Sequence, residues 1–261
     1  MSSNFTHLIV IRYYKPGDEF QCREIVKEGA MSTVNNAFFS LIEVTFQLMV
    51  LSTAVMFIFF GLPFTLCLCS IPAVIIFMYF CVWAGHTFKA LELTQDLINI
   101  PRVYMSSDTT GFWVAEAYEP FFMSKEPSQF KYHILSEKEF KQREFEKNSY
   151  RRSLVGTVGI VRSVASEDNA WLRRMAVKPK YQRMGIAKAL LSEALHFCSE
   201  KGYQGVELVT TEWHDNARNM YVKKGFQLKQ MYHKQLIGSV VTVLIYQLFY
   251  KIQQKNISVT P

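Results

Sequence analysis

Cysteine is scarce in this chain and comes without pattern. The five cysteines, Cys22, Cys67, Cys69, Cys81 and Cys198, are an odd number, and three of them lie in one apolar stretch where they read as small hydrophobes. That argues against a disulfide framework and makes a reducing, cytosol-facing catalytic portion the simplest reading. Neither a C-x-x-C nor an H-E-x-x-H pattern occurs, so no metal site is expected. Arginine-rich tails and basic runs interleaved with stacking aromatics are also missing, so the net charge of +7 does not require a nucleic-acid partner. The N-terminus lacks a cleavable leader pattern, because Arg12, Lys15, Asp18, Glu19, Arg23 and Lys27 precede anything long and apolar.

The largest absence is of charge: residues 44–85 carry none. As one helix this stretch would measure roughly 60 Å, about twice the hydrocarbon core of a bilayer. Gly61, Pro63 and Pro72 interrupt it, so two helices are expected, one ending by Phe60 and one running from about Phe64 to Trp83. A lipid-inserted hairpin is preferred to a buried core hairpin, with Tyr79, Trp83, Glu43 and Lys89 suited to the interface. Such a hairpin leaves both flanking segments on one side of the bilayer. The strand and helix before it (residues 8–14 and 20–30) can then join the domain that follows.

Against these absences stands one dense stretch, residues 171–198. Its first part alternates apolar and polar side chains up to Val177, as a strand does. Pro179 ends the ladder, and Gln182 to Ala187 form a short turn around Gly185. From Ile186 the apolar residues fall at helical spacing. Strand, tight turn and helix expose unpaired amides at a helix N-terminus, which is an anion site. Lys178, Lys180, Arg183 and Lys188 surround the turn and suit a multiply charged phosphate ligand. Taken alone this would be an ordinary strand–turn–helix with a solvated basic face.

The string Gln182-Arg183-Met184-Gly185-Ile186-Ala187 resembles the Q-x-x-G-x-A signature of the GNAT superfamily of acetyltransferases. A second segment, Asn216-Ala217-Arg218-Asn219-Met220-Tyr221 followed by Lys224-Gly225-Phe226, is similar to that family's N-A-x-x-x-Y…G-F segment. The phrase Gly111-Phe112-Trp113-Val114-Ala115-Glu116 and the apolar hairpin after the first helix resemble the camello-like, or N-acetyltransferase 8, group. The resemblance implies an α/β fold with a central mixed, mostly antiparallel sheet flanked by helices and interrupted by the transmembrane or re-entrant hairpin. It covers most of the chain except residues 119–152, which read as a charged, solvated insertion with a capping box at Ser136 and a helix through Lys147.

The expected organisation is an N-terminal strand and helix (1–36), the hydrophobic hairpin (37–87), the catalytic domain (88–235) and an apolar C-terminal segment with a polar tail (236–261). A short helix is expected over 88–99. Residues 236–252 read as a last strand or, by a narrow preference, as a helix touching the bilayer.

The resemblance implies acetyl-CoA as co-substrate, with Met175, Ala176 and Val177 holding the pantetheine arm and polarising the thioester. Gln182, Arg183, Met184, Gly185, Ile186 and Ala187 would hold the pyrophosphate, Asn216 would meet the pantetheine, and Tyr221 would protonate the leaving thiolate. The base is open among Glu116, Glu207, Glu212, His214 and Asp215, with Glu116 preferred. Arg174 is the candidate for a substrate carboxylate, a cross-strand ion pair being its alternative. Three functions remain: a membrane-anchored N-acetyltransferase acting on an amino acid or its conjugate, a lysine acetyltransferase of the secretory pathway, and a non-catalytic membrane-tethered acyl-CoA-binding protein. The expected surroundings are the lipid bilayer of the endoplasmic reticulum, with the catalytic domain facing the cytosol.

Overall fold

The alternation along residues 111–117 sets the architecture. Phe112 and Val114 point to one face of the sheet, Trp113, Ala115 and Ala117 to the other, and all are buried. A strand apolar on both faces must be covered by helices on both.

The computed structural model describes residues 7–121, 127, 130–142, 150–237 and 241–253. The chain divides into two compact units, Met1–Gly29 with Leu93–Pro261, and Ala30–Glu92. In the first, among the described residues, the strands β1 (Leu8–Tyr13), β2 (Gly111–Pro120), β3 (His133–Ser136), β4 (Tyr150–Arg162), β5 (Asn169–Val177), β6 (Gly205–Thr211), β7 (Gln227–Ile237) and β8 (Val241–Lys251) form one sheet. Their order is β3-β1-β2-β4-β5-β6-β8-β7. Neighbours run antiparallel except in the pairs β1–β3 and β5–β6. The sheet is thus mixed and mostly antiparallel, as expected.

One face packs on α1 (Glu19–Met31) and α6 (Ile100–Tyr104), where Cys22, Ile25, Val26, Leu97, Ile100 and Tyr104 meet Phe112, Val114 and Leu154. The other packs on α8 (Ile186–Glu200), where Leu190, Leu191, Ala194 and Phe197 meet Trp113, Ala115 and Val158. Each fully buried aliphatic side chain contributes about 1.5–3 kcal/mol. Helix α9 (Asp215–Lys224) ends at Gly225, whose φ of 105° supplies the left-handed cap.

Three expectations change, the third in the helical unit. The C-terminal apolar segment is not a bilayer-touching helix: β8 is a strand seated between β6 and β7, with Val243, Ile245 and Leu248 buried. Its β-branched and aromatic residues read as apolar all round because the strand is interior to the sheet. Nor does the 119–152 segment lie wholly outside the fold. Its strand β3 pairs in parallel with β1, and Leu135 and Phe140 join Leu8, Val10 and Tyr118 in a small core. The capping box at Ser136 starts α7 (Glu137–Lys141); the continuation to Lys147, like the tail beyond 253, lies outside the described residues.

In the second unit, α2 (Val34–Ser40) and α3 (Ile42–Ile58) precede a break at residues 59–63, followed by α4 (Phe64–Cys67) and α5 (Ser70–Thr94). Gly61, at φ 61°, and Pro63 supply the break. Helix α5 runs on through residues 88–94 instead of stopping near Trp83 for a separate helix to begin, because nothing from Trp83 to Thr94 breaks it. Residues Phe64–Thr94 are long and apolar enough to cross a membrane. Phe57, Ile58, Phe59, Phe60, Ile76 and Phe77 are all exposed. Where α3 and α5 meet, Thr53 Oγ1 and Ser70 Oγ lie 3.0 Å apart, a hydroxyl pair of the kind that joins helices in lipid.

Candidate active site

Strand β5 is paired unequally on its two sides. Toward β4 it is in register nearly throughout, from Ala170↔Arg162 to Val177↔Gly156. Toward β6 the ladder holds only Asn169↔Gly205, Ala170↔Val206 and Trp171↔Glu207. From residue 172 onward the β6-facing edge of β5 has no strand partner among the described residues. The backbone edge of Met175, Ala176 and Val177 on that side therefore has no ladder partner.

The β4–β5 register also shifts between Thr157 and Gly159, opposite Ala176 and Arg173, so Arg174 and Met175 form a bulge. Arg174 sits at φ 54°, left-handed for a side chain that disfavours it. Two contacts hold it there. Thr157 Oγ1 donates to the Arg174 carbonyl at 2.8 Å, and Arg174 Nε donates to Asp96 at 3.0 Å. Asp96 also accepts the Tyr104 hydroxyl at 2.6 Å and faces Arg173 at 3.4 Å. The tyrosine ring reaches it across Gly159, where a Cβ would come within 2.6 Å of Tyr104. Burial and then the Asp96 carboxylate push the Tyr104 phenol well above its ordinary value, so it stays a donor. Arg174 is thus the bulge's anchor, with its Nε given to Asp96, an ion pair like the alternative weighed on sequence except that the partner lies before β2 and not across the strand.

Beyond β5 a 3-10 turn (Pro179–Tyr181) leads into the glycine turn. Arg183 at φ 65° and Gly185 at φ 84° are both left-handed, and Gly185 starts α8 with no side-chain cap. Among the described residues no backbone acceptor takes the amides of Arg183 to Lys188, the first ladder bond being Ala189 N to Gly185 O. Gln182 Nε2 donates to the Val177 carbonyl at 3.2 Å and ties the turn to the strand. Uncapped amides, the helix dipole and exposed Lys180, Arg183 and Lys188 together make an anion cradle.

Tyr221, on α9, is buried against Phe226 in the core that α8 shares. Burial alone raises its phenol far above the usual range, so it carries its proton at neutral pH. Asn216 is exposed on the first turn of α9.

The candidate bases fall elsewhere. Glu116 is the counter-ion of Arg12, accepting its Nε at 2.8 Å, and it also accepts the Tyr118 hydroxyl at 3.1 Å. It lines a polar cavity of about 400 Å³ with Asp18, Gln21, Arg151 and Arg152. In register it faces Leu154, whereas the bulge lies opposite Thr157 to Gly159, roughly 10–16 Å further along the strand. Glu116 therefore faces Arg12 and this cavity, and not the β5 bulge. Glu207 is wholly buried and accepts from Asn169, Lys229 and Gln247 at 2.9–3.2 Å. Glu212 accepts the Leu244 amide, His214 Nδ1 meets Thr211 Oγ1 at 2.7 Å, and Asp215 pairs with Arg218. Asp96 and Thr157, which hold the bulge, carried no sequence signal, since their partners lie far along the chain.

The unpaired edge of a bulged strand, the uncapped amides at the next helix and a buried tyrosine beyond it thus follow one another along β5, α8 and α9. Residues 107–226, a little under half of the chain, match the acetyltransferase (GNAT) family, so this stretch is a GNAT domain with acyltransferase chemistry. Among its relatives, N-acetyltransferase 8B of Rattus norvegicus is 28% identical over 200 residues, covering 76% of this chain and 70% of that protein. N-acetylaspartate synthetase of Xenopus tropicalis is 24% identical over 250 residues, covering 94% of this chain and 79% of its own length. A solved GNAT-family acetyltransferase from Staphylococcus aureus Mu50 aligns with 92% of this chain and 97% of its own, at a TM-score of 0.44 and 15% identity.

Proposed function

We propose that the protein is a membrane-anchored N-acetyltransferase that moves the acetyl group of acetyl-CoA to the primary amine of an amino acid or amino-acid conjugate. The observation that carries this is the unpaired edge of β5, with the bulge at one end and the glycine-turn amides at the other. The pantetheine arm would complete the strand edge in place of β6, and its diphosphate would meet the amides of Arg183 to Ala187. An amide at the bulge, around Met175, would donate to the oxygen that becomes negative as the amine attacks, the largest single effect available here. The amine nitrogen bonds to the carbonyl carbon, the carbon–sulfur bond breaks, and the Tyr221 hydroxyl gives its proton to the leaving sulfur. The proton released by the amine returns through water to the Tyr221 phenolate, which restores the acid.

An amino-acid acceptor is favoured by the names of the relatives, which include an N-acetylaspartate synthetase. The anchor would be the Ala30–Glu92 unit, whose exposed phenylalanines and isoleucines suit lipid tails, with the domain facing the cytosol at the endoplasmic reticulum. Purified full-length protein in detergent, given labelled acetyl-CoA and separate pools of amino acids and of lysine peptides, should label the amino acids. Label confined to the peptides would move the assignment to a protein lysine acetyltransferase. Label in neither pool would leave a non-catalytic acyl-CoA-binding protein.

A further inference from the structure

Glu119, at the end of β2, is buried at 6% exposure, and among the described residues neither lysine nor arginine pairs with it. Its Oε1 accepts two phenols, Tyr132 at 2.5 Å and Tyr181 at 2.8 Å. A carboxylate removed from water stays in place only when hydrogen bonds replace its hydration, so these two donors are structural necessities. They come from two places. Tyr181 closes the 3-10 turn and immediately precedes Gln182, the first residue of the glycine turn. Tyr132 leads into β3, the strand that the 119–152 segment adds to the sheet edge. A second contact joins the same two parts independently: Ile134 Cδ1 lies 3.7 Å from where a Cβ on Gly185 would sit.

We propose that Glu119 is a positioning residue for the diphosphate turn, and that the inserted segment completes the acetyl-CoA site through Tyr132 and Ile134. The inference rests on the acetyl-CoA reading given above. A turn with both Arg183 and Gly185 left-handed persists only when its surroundings over-determine it. Glu119 holds its leading end through Tyr181, and the insertion braces Glu119 through Tyr132 and the turn itself through Ile134. Burial, and next the hydrogen bond to Glu119, lift both phenols well above their ordinary value, so both remain donors at any physiological pH.

The test uses full-length protein and coenzyme A as probe, with binding read by titration calorimetry and turnover by label transfer. Tyr181→Phe and Tyr132→Phe should each weaken coenzyme A binding and raise KM for acetyl-CoA about tenfold, equivalent to about 1.4 kcal/mol. Turnover at saturating acetyl-CoA should stay within about twofold, and the acceptor's KM should not move. Glu119→Gln keeps one acceptor oxygen and should fall between wild type and Glu119→Ala. Ile134→Ala, which leaves the carboxylate cluster intact, should show the same split at smaller size. A lowered melting temperature with unchanged coenzyme A affinity would overturn the proposal, as would equal losses in kcat and KM. If wild type itself fails to bind coenzyme A, the acetyl-CoA reading falls. If wild type binds and Tyr181→Phe binds as tightly, only this inference does.

Discussion

Gly185 allows backbone strain and charge to be separated at the diphosphate turn. Its φ of 84° disfavours any side chain, yet a Cβ there would meet only Ile134 Cδ1 at 3.7 Å, an ordinary contact. Gly185→Ala therefore tests conformation alone. Holding a non-glycine residue left-handed costs about 1–2 kcal/mol, and if all of that falls on the bound geometry, affinity drops about 5- to 30-fold. Gly185→Glu has the same strain and adds a negative charge facing the diphosphate. At roughly 6 Å and an effective dielectric between 20 and 80, each phosphate charge adds about 0.7–2.8 kcal/mol of repulsion. Two such charges put the total loss at about 10²-fold or more. Titration of coenzyme A at low and high salt distinguishes the contributions, because the excess loss in the glutamate variant shrinks as salt screens it while the alanine loss does not. Equal loss in the two variants, or a glutamate penalty insensitive to salt, would refute the assignment of this turn to a phosphate.

Tyr221→Phe should lower kcat about 10²-fold and leave coenzyme A affinity nearly unchanged; a full-rate variant would assign the acid elsewhere. Because burial raises that phenol above its ordinary value near 10, the alkaline fall in wild-type kcat should lie above that value and be absent from the phenylalanine variant. The same shift contributes stability that is fully present below the ordinary phenol value and is lost as pH rises through the folded one. Asp96→Asn should release Arg174 from the bulge, lowering stability by about 1–3 kcal/mol and kcat at least tenfold, with KM for acetyl-CoA little changed. A thermal melt and initial rates check this, and a lower melting temperature with intact kcat would make Asp96 merely structural. Full-length protein expressed in cells should stay with the membrane pellet through high-salt and alkaline washes; release into buffer would remove the lipid anchor.

The strand, turn and helix around Gly185 were legible because everything they need is local: alternation up to Val177, a proline stop and a glycine where φ must be positive. Breaks at Gly61 and Pro63 were legible for the same reason. What escaped was non-local. The charge of Glu116 marks it as a base on sequence, but Arg12, 104 residues away, claims it. Arg174 reads equally as a substrate contact or an ion-pair partner until Asp96, 78 residues upstream, is folded beneath it. Strand β8 could not be told from a bilayer helix, because an interior strand loses the polar alternation that identifies a surface one. Residues 130–140 looked solvated since the alternation of Phe130, Tyr132 and Ile134 spans only five residues inside a long charged stretch.

Only three residue pairs, Asn169 to Trp171 with Gly205 to Glu207, stitch five strands on one side of the sheet to three on the other. This seam is the shortest ladder among the described strands, and the proposed cosubstrate would lie along its unstitched part. Loading would then act as a missing rung, fastening the two halves together. Scarcity of acetyl-CoA would shorten the lifetime of the folded enzyme as well as slow its turnover.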